Sequence, residues 1–219
     1  MEWQVSNGGG MIVNPDGEVE VNNEAAIAAF ERAAGWVGTI SPPAVTGFNE
    51  PASNEVWLAG NAAFMRYWPG GYATAIQSEL ISEVFATAPL PAGDSGEGAS
   101  TMGGWEIGVS RYSVHPEAAA AFAVYMTGEE NAKPYAIDTA FPPVILDLYN
   151  DPDIQEAVPY ASPEIVEIVT PRPSTVTADK YNEVSSLYFT AVHDILTGAT
   201  DAATAMELLE LDLQALLTE

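Results

Sequence analysis

Several stretches of this chain carry residues at spacings that could do chemistry. Gly93-Asp94-Ser95-Gly96 sets a serine between an acid and a glycine, as around the nucleophile of trypsin-like proteases. His115 and His193 are the only imidazoles, and Asp16, Glu18 and Glu20 alternate beside Gly17. Each of these fails a chemical requirement. In those proteases the histidine and aspartate precede the serine, whereas both histidines here come after Ser95. Two distant histidines supply too few ligands for zinc, and the acids at 16–20 do not keep a calcium-loop spacing. Gly, Asp and Ser together are also ordinary turn composition. No glycine loop with its lysine is present to cradle a phosphate. Acidic pairs such as Glu129-Glu130 and Asp151-Asp153 recur so often that pairing alone assigns no role. No catalytic residue, metal ligand or cofactor site is therefore assigned.

The aromatic turns offer more. Trp68 precedes Pro69-Gly70-Gly71 and Tyr72, and Trp105 comes directly after Gly103-Gly104. Neither indole stands at helical spacing. A glycine before a strand lets the backbone approach a ligand, and an indole beside it gives a flat apolar face with a polar edge. Sugars present an apolar C–H face ringed by hydroxyls, which suits such a ring. Arg172, mounted between Pro171 and Pro173, has a planar fork that can hydrogen-bond neighbouring hydroxyls. A capped core for the tryptophans and a surface ion pair for Arg172 explain the same residues, and composition leaves the two readings even.

The totals narrow the partners. The chain has 219 residues, enough for a sizeable core, and 47% apolar content argues against disorder. Six Lys and Arg oppose 31 Asp and Glu, a formal net charge of -25, so there is no basic footprint for nucleic acid or an anionic membrane. The acids are spread along the chain, which favours solvation in a salty medium over recruitment of a cationic partner. With no cysteine, disulfides and thiolate chemistry are excluded. No run of about 18 apolar residues exists to span a membrane, and the first residues have no signal-peptide pattern.

The elements that must position these residues alternate. Residues 1–21 read as turns and short extended pieces, and Asn22 or Asn23 caps a helix that buries Ala25, Ile27, Phe30 and Trp36. A second helix is expected over 51–59, stopped by Gly60. Ala62–Met65 and Trp105–Val109 read as strands. His115-Pro116 opens a helix that Gly128 closes, and another begins near Glu129. Asp151-Pro152-Asp153 precedes two short helical runs, and 171–177 reads as extended. Helices over 179–196 and 202–217, separated by Gly198, end the chain. The order indicates an α/β protein, helix-rich in its second half.

An ordered series of segments resembles one family. Gly8–Ala29, Ala59–Pro69 (AGNAAFMRYWP), Gly103–Ser110 (GGWEIGVS), His115–Ala119, Tyr135–Ile137, Pro142-Pro143, Leu148–Pro152 and Pro171–Pro173 resemble, in order, the family 1 extracellular solute-binding proteins. These are the sugar-capturing components of ABC importers, and the likeness is to the trehalose/maltose branch. The resemblance implies a partial periplasmic-binding-protein-like (type II) α/β fold. Residues 1–104 would be a second-lobe segment, 105–150 a first-lobe segment, and 151–219 the return to the second lobe. Carried over, Trp68 and Trp105 would stack on sugar rings, Gly104 would admit backbone close to the ligand, and Arg172 would bond hydroxyls. Gly70 stands where relatives often carry a cleft aromatic, and Tyr72 is the candidate to compensate. Tyr67 and Glu106 each replace an asparagine.

The resemblance also implies hinge closure, docking on the permease's transmembrane subunits, an extracytoplasmic location, no direct membrane insertion and no enzymatic activity. The segment alone would bind weakly or not at all. A carboxylate-dependent glycoside hydrolase and an acidic protein-interaction module are the alternatives.

Overall fold

The computed structural model describes residues 1–161, 165 and 168–218. Its packing divides the chain into two units, Met1–Asn49 with Pro89–Met102 and Ile168–Glu219, and Glu50–Ala88 with Gly103–Glu167.

The first unit is built on helices. Helix α2 (Glu24–Trp36) begins where the Asn23 side chain accepts the Ala26 N–H, as the cap residue implies. It buries Ala26, Ala29, Phe30 and Ala33. Two long C-terminal helices, numbered α9 (Tyr181–Thr197) and α10 (Ala202–Thr218) here, pack on α2 and on each other. Gly198, with φ 76°, ends α9 in the left-handed conformation that glycine adopts at least cost. Phe30, Val13, Val21, Val184, Met206 and Leu213 form one continuous core. Asn22 reaches Glu210 at 2.8 Å, and Lys180 donates to the Leu216 carbonyl at 2.6 Å, fastening the far end of α10.

Helix α1 (Glu2–Ser6) departs from the turns expected over 1–21. Five residues span little more than one helical turn, too few to show a repeat in sequence. Its Gln4 is fully buried, donating to the carbonyls of Gly9 (3.1 Å) and Met11 (3.0 Å) and accepting the Tyr188 hydroxyl at 2.9 Å. The glycine run after α1 has a steric cause. A Cβ on Gly9 would lie 2.8 Å from the Ala26 backbone, and Gly8 and Gly10 hold φ of 82° and 69°.

Strands are few among the described residues. β1 (Ser100–Thr101) pairs in parallel with β2 (Val169–Thr170), Ser100 opposite Val169. The extended reading of 171–177 gives way at its end to one helical turn, α8 (Ser174–Thr177). There the Pro173 carbonyl accepts both the Thr177 N–H (3.0 Å) and its hydroxyl (2.7 Å), closing the backbone locally.

In the second unit, α3 (Glu50–Leu58) stops before Gly60, whose φ is 74°. A short turn, α4 (Gly71–Ala75), comes after the aromatic segment. α5 (Pro116–Thr127) starts at His115-Pro116 as expected, and α6 (Glu129–Thr139) begins after Gly128. α7 (Pro152–Ala157) is capped by Asp151, which accepts the Asp153 N–H at 2.9 Å. Ala132, Ala136, Leu148 and Ile154 form a small core between these last helices. Lys133 bridges Asp151 at 2.8 Å and Asp153 at 2.7 Å. The second short helical run expected after Asp153 falls among residues outside those described.

Two expected strands do not form. Ala62–Met65 and Trp105–Val109 hold no regular structure. A strand exists through its ladder, and neither segment has a partner strand among the described residues. Phe64 and Trp105 are each 95% exposed. Helix α5 buries no residue at all, leaving Phe122, Val124, Tyr125 and Met126 in solvent.

Candidate ligand-binding site

The segment that carries Trp68 is held by the turn on its C-terminal side. The Trp68 carbonyl accepts the Gly71 N–H at 2.9 Å and the Pro69 carbonyl accepts the Tyr72 N–H at 3.0 Å, so the chain turns directly into α4. The half-buried indole donates its N–H to Glu50 Oε1 at 3.4 Å. The Arg66 guanidinium lies 5.2 Å from the ring centroid, within reach of its negative face. Glu50, in the first turn of α3, has its carboxyl held below the usual range. Its own backbone N–H contributes most, then the Trp68 indole N–H, with the Arg66 charge adding to both. An aromatic plane, an acceptor at its edge and a cation over its face thus meet within one unit.

Tyr72 is engaged elsewhere. Its ring packs 5.5 Å from Phe85 and 5.2 Å from Tyr160, and Phe85 meets Trp57 edge-on at 5.6 Å. Tyr160 donates to the Ala140 carbonyl at 2.5 Å, and burial, with Tyr149 and Tyr72 nearby, pushes its hydroxyl well above the ordinary tyrosine range. Tyr72 therefore belongs to a ring cluster that supports the turn. At Gly70 the missing aromatic has a local explanation. A Cβ there would lie 2.5 Å from the Phe141 ring, and one at Gly71 would lie 2.5 Å from the Tyr67 ring.

Trp105 stands in solvent, and a Cβ on Gly104 would meet nothing within 4 Å. Both lie in the second unit with Trp68 and Tyr72. Arg172 lies in the first unit, exposed between exposed Pro171 and buried Pro173, directly after β2. The structure thus joins Trp68 to two residues that sequence reasoning left unassigned, Glu50 and Arg66. Arg66 stood inside the aromatic motif, but nothing in sequence linked Glu50 to an indole 18 positions away.

The rejected motifs have structural roles. The Ser95 hydroxyl donates to the Ser6 carbonyl at 2.6 Å, Asp94 pairs with Arg32 at 2.6 Å, and Gly96 turns with φ 80°. This loop fastens the end of α1. His115 and His193 are exposed in separate units. No group of His, Cys, Asp and Glu able to hold a metal ion occurs among the described residues. No described helix is long and apolar enough to cross a membrane.

Comparison with known proteins gives a consistent result. Residues 2–133 match the model of the bacterial extracellular solute-binding proteins. The chain is 40% identical over 213 residues to a Deinococcus radiodurans protein named "Probable ABC transporter-binding protein", covering 96% of this chain and 51% of that one. It is similar to the maltose-bound structure of T. maritima MalE3, with TM-score 0.89 and 29% identity over 98% of this chain and 56% of that one. A sugar transporter structure from Arthrobacter chlorophenolicus A6 with bound laminaribiose shares the fold at TM-score 0.71 and 18% identity, over 97% of this chain and 55% of that one. The chain spans about half the length of the relatives it matches.

Proposed function

The chain belongs to the bacterial extracellular solute-binding proteins and has part of their type II fold, and from that premise we propose that it serves as the substrate-binding component of an ABC importer for a disaccharide or oligosaccharide. The observation that carries the sugar assignment is the Trp68 indole, which has an ionised carboxylate at its N–H edge. Stacking on the ring would hold the C–H face of a sugar, and the polar edge would take its hydroxyls. The maltose in MalE3 is a ligand of the chemistry this arrangement suits.

Residues 1–104, 105–150 and 151–219 then act as second-lobe, first-lobe and second-lobe segments. The uncovered apolar side chains of α5 and of Trp105, Ile107 and Val109 support this reading. They fit a surface whose partners lie in the half of the relatives that this chain does not span. Trp105, Gly104 and Arg172 would join Trp68 on the ligand, with Tyr72 steadying the turn. The lobes would close about a hinge, the closed form would engage permease transmembrane subunits, and binding would take place outside the cytoplasm. The protein binds and releases its ligand without chemical change, and this segment alone binds weakly because much of the cleft wall is missing.

Calorimetry tests the proposal on two proteins: the chain itself and a version extended to the length of its relatives. Maltose, trehalose and related sugars should give heat with the extended protein and little with the chain alone. Heat only with amino acids or peptides would refute the sugar assignment. Turnover of a chromogenic glycoside, lost when one carboxylate is replaced, would favour the hydrolase instead.

A further inference from the structure

We infer that Glu50 makes this site selective for uncharged sugars over sugar acids. The inference rests on reading Trp68 as the sugar-stacking ring. A hydrogen bond from an indole N–H lies near the ring plane, so the Glu50 carboxylate, 3.4 Å from the nitrogen, stands at the rim of the stacking surface. A pyranose laid on that surface carries its exocyclic groups outward, toward the same rim. A hydroxyl arriving there finds an acceptor. A carboxylate arriving there finds a like charge.

The electrostatics favour this over a passive acid. Glu50 is exposed and retains lone pairs for a ligand after accepting the indole N–H. Its own backbone N–H, the indole and Arg66 all stabilise its charged form, so it does not readily take up a proton to escape an approaching anion. Arg66 is the group that could oppose this selectivity. Its guanidinium lies over the indole face, 5.2 Å from the centroid, and its charge is partly met by the carboxylate on which it acts. The remaining charge of the chain is strongly negative, which adds to the rejection of anions. Two unit charges a few ångströms apart near a protein surface repel enough to change affinity about tenfold.

The test compares methyl glucoside with methyl glucuronide, which differ only in a hydroxymethyl against a carboxylate. Titration is followed at the indole N–H resonance of Trp68, assigned with Trp68→Phe, a readout that detects millimolar binding. The indole signal of Trp57, which meets Phe85 edge-on at 5.6 Å in the same unit, reports that each variant is folded. The glucoside should bind at least about tenfold tighter at neutral pH. Glu50→Gln should bring the two ligands within about twofold, and Glu50→Asp should keep the preference. If Glu50→Gln leaves the ratio unchanged while both glycosides still shift the Trp68 resonance, the inference is overturned and the sugar reading stands. If neither glycoside shifts the Trp68 resonance although the extended protein gives heat with maltose, Trp68 is not the stacking ring and the inference is overturned; if that heat is also absent, the sugar reading fails with it.

Discussion

Helices α2 and α5 have 13 and 12 residues, both rich in alanine, and each carries a phenylalanine near its middle. Phe30 of α2 is fully buried, whereas Phe122 of α5 is 57% exposed. The difference does not lie in helix formation, since both have good helix formers and a defined start. It lies in what is packed against them. α2 meets α1, α9 and α10, and its apolar stripe closes a continuous core. α5 meets α6 alone among the more extensive element pairings. Propensity can form a helix from local sequence, but only a tertiary partner turns its apolar face into stability.

Urea denaturation can break this comparison most directly. Phe30→Ala should lower stability by about 3–5 kcal/mol, while Phe122→Ala should change it by less than about 0.5 kcal/mol. Similar losses for both would mean that α5 is covered in solution. Gln4→Ala comes next, at about 1–3 kcal/mol, because it strands the Tyr188 hydroxyl and the Gly9 and Met11 carbonyls away from their partner. A loss confined to the second unit by hydrogen exchange would contradict that placement.

Titration sharpens the contrast further. Asp201, whose carboxylate is stabilised first by the Thr204 backbone N–H, and Asp151, stabilised first by Lys133, both have pKa values below the ordinary aspartate range in the folded chain. Each contributes stability that is present above its unfolded value and disappears as pH falls through the depressed folded one. Asp201→Asn should weaken the acid dependence of the first unit and Asp151→Asn that of the second, as read by hydrogen exchange between about pH 2 and 5. At the alkaline end, burial raises the Tyr188 hydroxyl far above its ordinary range. Its contribution is full below the unfolded value near 10 and fades as pH rises toward the folded one, so the first unit should loosen above about pH 10. A smaller loss than those at Phe30 and Gln4 is expected for Ser95→Ala, which removes one hydrogen bond to Ser6. It should cost about 1 kcal/mol and leave sugar binding unchanged by calorimetry.

The legible parts of the fold were those set by near neighbours in sequence. An asparagine cap at 22 or 23, which the structure places at Asn23, His115-Pro116 as a helix start, and Gly60 and Gly198 as stops all act within a turn of their own position. What failed depended on distant partners. AAFM and WEIGV have strand composition, but a strand needs a ladder, and none forms with them among the described residues. At the candidate site, the motif around Trp68 was readable because its residues are contiguous. The acid at its edge was not, because α3 delivers Glu50 from another element. Phe141 beside Gly70 was hidden for the same reason: the fold alone makes them neighbours.

The bond between Gln4 and Tyr188 joins positions 184 apart. On a ribosome adding roughly 5–20 residues each second, its second partner arrives about ten to forty seconds after its first. Throughout that interval the amide must remain hydrated or borrow temporary companions, and the glycine turn beneath it cannot settle. The turn around Gln4 is therefore completed only after the chain through Tyr188 has been made.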